Sequence, residues 1–209
     1  MPTKWLWNPC LDVQHQGQCE DYAANRPDCQ MITNWGQYQR GDELLIAGHG
    51  DGDDPTTMSG TGANGTDYEV DYNWLAKAIA GKQALYNAWG RIDKSLQLII
   101  KLYMCTAADR KRVPGSNDKT KARFGGMLLA ALIWEGYGKV KIAAYHGEIT
   151  WAQGLQHKVV CTRKVAPDTL QVKDQKKVLG MPVVTRAGYS AARYHREWFT
   201  TNHFNMRWI

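Results

Sequence analysis

Residues 43–50 read ELLIAGHG, and this stretch decides the expected fold because it joins an apolar strand to a reactive side chain. The apolar residues 44–47 are followed by His49, which stands between two glycines. A short apolar run that ends at glycine is typical of a buried strand in a parallel sheet. Residues 96–105 read LQLIIKLYMC, so a second apolar run leads directly into Cys105. We therefore expect two buried strands, each followed by a residue capable of chemistry.

The neighbouring segments alternate between helix and strand patterns. Apolar residues at helical spacing predict helices over 72–79 and 123–137, and residues 140–144 predict a third strand. This order predicts an α/β fold, a three-layer αβα sandwich with a mainly parallel central sheet. We expect a single domain over 1–209 whose catalytic core spans 42–147.

Outside that core the patterns are weaker. Residues 1–41 have no clean period, so we expect an irregular N-terminal segment with a short helix near 19–25. The Gly-, Thr- and Asp-rich residues 51–71 predict a long loop. We expect residues 148–209 to form a basic β-hairpin region and a closing helix over 190–200.

Composition excludes several classes of protein. The 209 residues are 44% apolar and 22% charged, which is globular and excludes a disordered, collagen-like or coiled-coil chain. The longest apolar run, 124–134, is too short to span a bilayer, so we expect no membrane partner. The N-terminus lacks the apolar core of a signal peptide. We expect a protein that is cytoplasmic or delivered as an effector by a signal-independent route.

The net charge of +6 is unevenly distributed. Residues 1–150 contain 16 Lys and Arg against 17 Asp and Glu, a net of −1, whereas residues 151–209 contain 10 against 3, a net of +7. The basic character is therefore local, which indicates an anionic partner for the C-terminal quarter rather than a general nucleic-acid coat.

The five cysteines do not suggest a metal site. Cys10, Cys19 and Cys29 are spaced by nine and ten residues, which matches no zinc-ligand pattern, and Cys105 and Cys161 lie far downstream. We therefore expect no metal and no required cofactor. Whether the N-terminal cysteines form disulfides depends on the compartment, and the sequence leaves this open.

His49 and Cys105 are the candidate catalytic pair. A thiol becomes a strong nucleophile when an imidazole accepts its proton, and adjacent parallel strands would place the two side chains together. The flanking glycines allow a substrate to approach the backbone closely. The N–H groups of Gly50 and Cys105 would then stabilise a tetrahedral oxyanion.

This order of elements resembles the caspase-fold cysteine peptidases. Residues 46–52 (IAGHGDG), 98–107 (LIIKLYMCTA) and 124–144 are most similar to the self-processing cysteine protease domains of large bacterial toxins, with clostripain-like peptidases next. The resemblance covers about residues 42–162. It implies a cysteine endopeptidase of the bacterial effector or toxin type that acts on a protein or peptide substrate, with the dyad named above.

The toxin-type domains are activated by inositol hexakisphosphate, which binds a basic surface in the C-terminal hairpin region. By that resemblance, such an anion is the expected activator here. The candidate anion-binding residues are Lys158, Arg163, Lys164, Lys173, Lys176, Lys177 and Arg186. Residues 110–123 contain six basic residues and are a candidate site of self-cleavage.

Three alternatives remain open from the sequence. His146 and Glu148 follow the third strand, which is similar to the arrangement of class I glutamine amidotransferases and would make the chain a glutamine amidohydrolase or deamidase using Cys105. Against this, Cys105 lacks a G-x-C-x-G turn. The His49–Cys105 dyad would serve glutamine deamidation as well as proteolysis. The third alternative is a non-enzymatic, basic nucleic-acid-binding protein that stacks bases on Trp198, Phe199, Phe204 and Trp208.

Overall fold

The computed structural model describes residues 1–50, 54–109, 111–112, 121–146, 149–152, 158–161, 190–191 and 196–203. The α-helices of this part are α1 (Val13–Ala24), α2 (Tyr72–Ile79) and α3 (Phe124–Trp134), and short 3-10 helices occupy Trp35–Gln37, Ala84–Trp89 and Thr201–His203. The strands, in chain order, are β1 (Lys4–Trp7), β2 (Cys29–Met31), β3 (Glu43–Ala47), β4 (His49–Gly50), β5 (Thr57–Thr61), β6 (Asp67–Asp71), β7 (Leu98–Tyr103), β8 (Lys111–Arg112), β9 (Lys121–Ala122), β10 (Val140–Tyr145), β11 (Ile149–Ala152), β12 (Lys158–Cys161), β13 (Ser190–Ala191) and β14 (Arg196–Thr200).

Six strands form the main sheet, in the order β14–β10–β7–β3–β1–β2. All neighbouring pairs are parallel except β10 and β14, which are antiparallel. The central strand β3 pairs with both β1 and β7, and its Leu44 lies opposite Ile100. The fold is therefore α/β with a mainly parallel central sheet, which confirms this part of the prediction. None of the helices described is long and apolar enough to cross a membrane.

Both faces of the main sheet are covered, which explains why its strands are almost uniformly apolar. Leu44 and Ile46 of β3 belong to the cluster that contains the buried residues of α2 and α3. Leu45 and Ala47 belong to a second cluster with Cys19 and other residues of α1. The α1 helix therefore packs on one face of the sheet, and α2 and α3 pack on the other.

The strands predicted over 44–47, 96–104 and 140–144 correspond to β3, β7 and β10. The helices predicted over 72–79 and 123–137 correspond to α2 and α3. The predicted hairpin is also present, because β11 and β12 pair in antiparallel fashion.

The N-terminal segment differs from the irregular chain that the sequence suggests. Strand β1 reads KWLW and lies inside the sheet between β3 and β2. Trp5, Leu6 and Trp7 are all buried because both faces of β1 are covered. The sequence therefore lacks the alternation of apolar and polar residues that would indicate a strand. Helix α1 is also longer than the short helix expected near 19–25.

The segment predicted as a long loop contains an antiparallel hairpin. Strands β5 and β6 pair along five positions, and β5 also pairs with β4, which directly follows β3. Met58 and Val70 lie opposite each other and are both buried, whereas their neighbours are mostly polar. Only a few apolar residues in this hairpin alternate with polar ones, so composition alone favours a loop.

The closing helix predicted over 190–200 is corrected by the structure. Arg196–Thr200 forms strand β14, which pairs with β10 at the edge of the main sheet. Phe199 is fully buried and Trp198 is 37% exposed, so consecutive residues face opposite sides, as in a strand. The pairing partner lies more than fifty residues earlier in the chain, so no local pattern indicates it.

We predict that Phe199→Ala lowers the free energy of unfolding by about 3–5 kcal/mol, because it removes a fully buried aromatic ring. The matched variant Trp198→Ala should cost less than half as much, since this ring is partly exposed and rests on Lys141 and Arg196. Urea denaturation of the two variants measures the difference. Equal losses would contradict the orientation of β14.

Candidate active site

The candidate active site lies at the edge of the sheet where β1, β3 and β7 end. The carboxyl ends of parallel strands meet at one edge, and reactive groups of α/β proteins gather there. Asp12 follows β1, His49 follows β3, and Cys105 follows β7. Because β1, β3 and β7 are neighbours in the sheet, three segments far apart in sequence converge on one rim.

The backbones of Gly50 and Cys105 are in direct contact at this rim. A Cβ placed on Gly50 would lie 2.0 Å from the carbonyl oxygen of Cys105 and 3.2 Å from its backbone nitrogen. Only a residue without a side chain permits this approach. The residue that follows His49 is therefore packed against the residue that carries the candidate nucleophile, and Cys105 itself is partly exposed.

Cys105 begins a tight turn that is fixed at several points. The next residue, Thr106, has a φ of 59°, which is rare for a β-branched residue. The N–H of Ala108 donates to the carbonyl of Tyr145 at the end of β10. The N–H of Gly125, in the first turn of α3, donates to the carbonyl of Ala107. The turn therefore holds Cys105 between the sheet and the start of α3.

Asp12 is the most highly connected side chain of the site. It is the N-cap of α1, and its Oδ1 accepts hydrogen bonds from the backbone N–H of His15 at 2.7 Å and from His15 Nδ1 at 2.8 Å. Its Oδ2 accepts a hydrogen bond from the backbone N–H of Thr61 at 2.8 Å. Both carboxylate oxygens of this buried side chain therefore have hydrogen-bond partners that hold them in place.

His49 lies directly against this carboxylate. Its Nε2 is 3.6 Å from Asp12 Oδ2, and its ring meets the His15 ring edge to face with centroids 4.4 Å apart. The His49 side chain is 48% exposed, whereas Asp12 and His15 are buried. One donor atom from each of these three residues lies within 4.8 Å of the others. Two imidazoles and one carboxylate at this spacing are ligand types that suit a metal ion.

The local environment sets the charges of Asp12 and His15. Burial opposes ionisation of Asp12, but the hydrogen bonds from the backbone N–H groups of His15 and Thr61, and then from the His15 ring, outweigh it and lower the pKa of Asp12. Burial lowers the pKa of His15, and the proximity of His49 adds to this effect, while Asp12 opposes it. At neutral pH a carboxylate and a neutral imidazole therefore stand beside His49.

The β5–β6 hairpin fixes Asp12 from above the rim. A Cβ placed on Gly60 would lie 2.4 Å from Asp12 Cβ and 2.9 Å from Cys10 Cβ, so the strand packs closely on the turn that precedes α1. This contact brings the N–H of Thr61 to the carboxylate. The hairpin that composition suggests is a loop is thus a structural support of the site.

His146 occupies a different environment from His49. Its Nδ1 lies 2.8 Å from Asp109 Oδ1, and its Nε2 lies 3.1 Å from Glu197 Oε2. Glu197 also pairs with Arg123, the residue that caps α3. His146 therefore belongs to a charged network beside α3, whereas His49 contacts the start of α1.

Other predicted residues fall partly outside the described part of the chain. Glu148, Phe204 and Trp208 lie outside it, and Phe199 is buried and offers no surface for base stacking. Among the candidate anion-binding residues, Lys158 is the first residue of β12. The others are outside the described residues: Arg163, Lys164, Lys173, Lys176, Lys177 and Arg186.

The N-terminal cysteines are buried thiols and form no disulfide. Burial, with a smaller contribution from Asp12, raises the pKa of Cys10 to about 12. Burial also raises the pKa of Cys19 to about 12 and that of Cys29 to about 11. These thiols therefore remain protonated and unreactive at neutral pH.

Sequence reasoning missed Asp12 and His15. Asp12, two residues after Cys10, lies in a segment without a clear period, and its role depends on β1 ending beside β3. The available signal is an Asp followed three residues later by His, which is the spacing of an N-cap residue and the N–H it accepts from. Without the strand assignment, that signal does not point to His49.

No protein-family model matches the sequence, and no curated protein is significantly similar to it.

We predict that a thiol-reactive probe near neutral pH modifies Cys105 at least about tenfold faster than Cys10, Cys19 or Cys29. Cys105 is partly exposed, whereas the other three are buried and have raised pKa values. Peptide mapping of timed samples gives the rates, in a Cys161→Ser background. Labelling in denaturant, where all thiols should react alike, is the control. Equal rates in the folded protein would contradict the geometry.

We also predict that Gly50→Ala destabilises the protein by about 1–3 kcal/mol and slows probe labelling of Cys105, because the added Cβ displaces the Cys105 backbone. Gly138→Ala is the matched control, since a Cβ at that position meets no atom within 4 Å. Thermal unfolding and labelling rates test both variants. An unperturbed Gly50→Ala protein would show that the two backbones are not in contact.

Proposed function

We propose that the protein is a cysteine endopeptidase in which His49 and Cys105 form the catalytic dyad. The observation that carries this proposal is the contact between the Gly50 and Cys105 backbones at the ends of adjacent parallel strands. It brings the residue beside His49 against the residue that bears the thiol. Two of the three segments that carry the resemblance to caspase-fold peptidases contain these residues, so geometry and sequence support one pair.

The proposed reaction begins with transfer of the Cys105 thiol proton to His49. The thiolate attacks the carbonyl carbon of the scissile peptide bond and forms a C–S bond, and the carbonyl oxygen becomes an oxyanion near the amides of Gly50 and Cys105. The C–N bond then breaks as His49 returns the proton to the leaving amine. Water, deprotonated by His49, hydrolyses the thioester and restores the thiol.

Asp12 supports this reaction through His49. Its Oδ2 lies nearest to His49 Nε2, which leaves Nδ1 as the ring nitrogen available to the thiol. The negative carboxylate also stabilises the positive charge that His49 acquires when it takes the proton. We assign Asp12 as a positioning residue, since it acts on the substrate only through the imidazole.

The wider identity of the enzyme follows from the resemblance. A peptidase similar to the self-processing domains of bacterial toxins would act as an effector or toxin-type protease, cleave itself in the basic stretch at 110–123, and respond to inositol hexakisphosphate. The excess of Lys and Arg in residues 151–209 is the sequence feature that supports an anionic activator.

We predict that Cys105→Ala and His49→Ala each lower kcat/KM for peptide cleavage by at least about 10³-fold, because each removes a reacting group. His146→Gln should stay within about tenfold of the unmodified protein, since the His146 ring contacts Asp109 and Glu197, whereas the His49 ring contacts Asp12. A peptide library, incubated with and without inositol hexakisphosphate and analysed by mass spectrometry, measures cleavage.

The same experiment separates the alternative reactions. Conversion of Gln to Glu without chain cleavage would indicate that the same dyad serves a deamidase and not an endopeptidase. Loss of activity in His146→Gln with retention in His49→Ala would favour the amidohydrolase that uses His146 and Glu148. Salt-dependent binding of RNA or DNA, without any reaction that depends on Cys105, would favour the non-enzymatic alternative.

A further inference from the structure

Asp12, His15 and His49 form a cluster that the peptide-cleavage mechanism uses only in part. One donor atom from each lies within 4.8 Å of the other two. The proposed mechanism needs Asp12 and His49, but it assigns no step to His15. His15 is nevertheless buried, hydrogen-bonded to Asp12, and in ring contact with His49.

We propose that these three residues form a Zn²⁺ site, and that the bound ion switches the peptidase off by occupying His49. The switching half of this proposal rests on the proposed function, whereas the binding half does not. The sequence led us to expect no metal because the cysteine spacing fits none. The cluster proposed here uses two imidazoles and a carboxylate instead.

The donor set favours Zn²⁺ over the common hard cations. Ca²⁺ and Mg²⁺ bind almost entirely through oxygen, whereas Zn²⁺ accepts imidazole nitrogen and carboxylate oxygen together. Two histidines and one carboxylate are a known zinc-ligand combination, which leaves one of four tetrahedral positions for water. Imidazole also suits Cu²⁺ and Ni²⁺.

Two of the three ligands are already held in place. Asp12 is fixed by the N–H groups of His15 and Thr61, and His15 lies in the first turn of α1 with its ring on the carboxylate. Zinc ligands about 2.0–2.2 Å from the ion lie roughly 3.4 Å apart. The donor atoms lie within 4.8 Å of one another, and His49 Nε2 lies 3.6 Å from Asp12 Oδ2, so small side-chain movements bring them to this spacing. His49 can supply this movement because its side chain is half exposed.

Zinc binding at His49 conflicts with its role as a base. A neutral imidazole carries a single proton, and a metal on Nε2 forces that proton onto Nδ1. Nδ1 then cannot accept the proton of the Cys105 thiol, so the thiolate does not form through this route. Removing the metal restores the free tautomer and with it the activity.

Binding is tested by calorimetric titration of the metal-free Cys105→Ala protein with Zn²⁺, because this variant has no catalytic thiol to bind the ion. We expect one tight site that His49→Gln weakens by at least about tenfold, and His15→Gln likewise. His146→Gln is the matched control, since it removes a histidine that contacts carboxylates elsewhere. Circular dichroism checks that each variant is folded. If His15→Gln does not fold, His49→Gln still tests the site, because the His49 side chain is exposed.

The switch is tested with the active protein and its peptide substrate. We expect Zn²⁺ to abolish cleavage, a chelator to restore it, and Ca²⁺ or Mg²⁺ to have no effect. In His15→Gln, the Zn²⁺ concentration that halves the remaining activity should rise at least about tenfold. This shift separates the proposed site from direct capture of the thiol by zinc, which His15 would not influence.

The outcomes distinguish the two proposals. Unchanged zinc affinity in His49→Gln and His15→Gln overturns the metal site and leaves the peptidase intact. Tight binding at these residues with undiminished cleavage overturns the switch. If no peptidase activity exists, the calorimetric titration still decides the site. Cleavage that requires zinc and is lost with a chelator overturns both the switch and the dyad mechanism.

Discussion

The parallel pairing of β3 with both β1 and β7 is the constraint on which the site depends. It fixes three strands in register, so that the segments following each of them emerge at one edge. The burial of the four apolar residues of β3 stabilises this arrangement, because both faces of the strand are covered by helices.

The β1–α1 turn shows how the rim is built from local rules. Asp12 caps α1, as the residue preceding a helix commonly does, and a cap with both oxygens engaged is rigid. The β5–β6 hairpin adds a hydrogen bond from another part of the chain, and Gly60 permits the necessary contact. A helix cap has thereby become a support for an imidazole, so stability and chemistry depend on the same carboxylate.

The sequence predicts the elements whose signal is local. The strands β3, β7 and β10 and the helices α2 and α3 follow from apolar runs and helical spacing, and His49 and Cys105 stand out because they terminate such runs. Elements defined by distant partners could not be predicted. Strand β1 is buried on both faces, and β14 pairs with a strand more than fifty residues away. Asp12 and His15 were missed for the same reason, since only the placement of β1 brings them to His49.

The direction of the strands also determines at which end of the sheet Lys4 and Thr200 lie. Strand β1 runs toward the rim, so Lys4 lies at the opposite edge, and β14 is antiparallel, so Thr200 lies at that opposite edge as well. Asp12, His49 and Cys105 consequently face away from both of these points. An attachment at the amino end of β1 would therefore leave the rim open to a large molecule. For this reason the amino end of β1 is the natural place for anchoring the protein to a solid support.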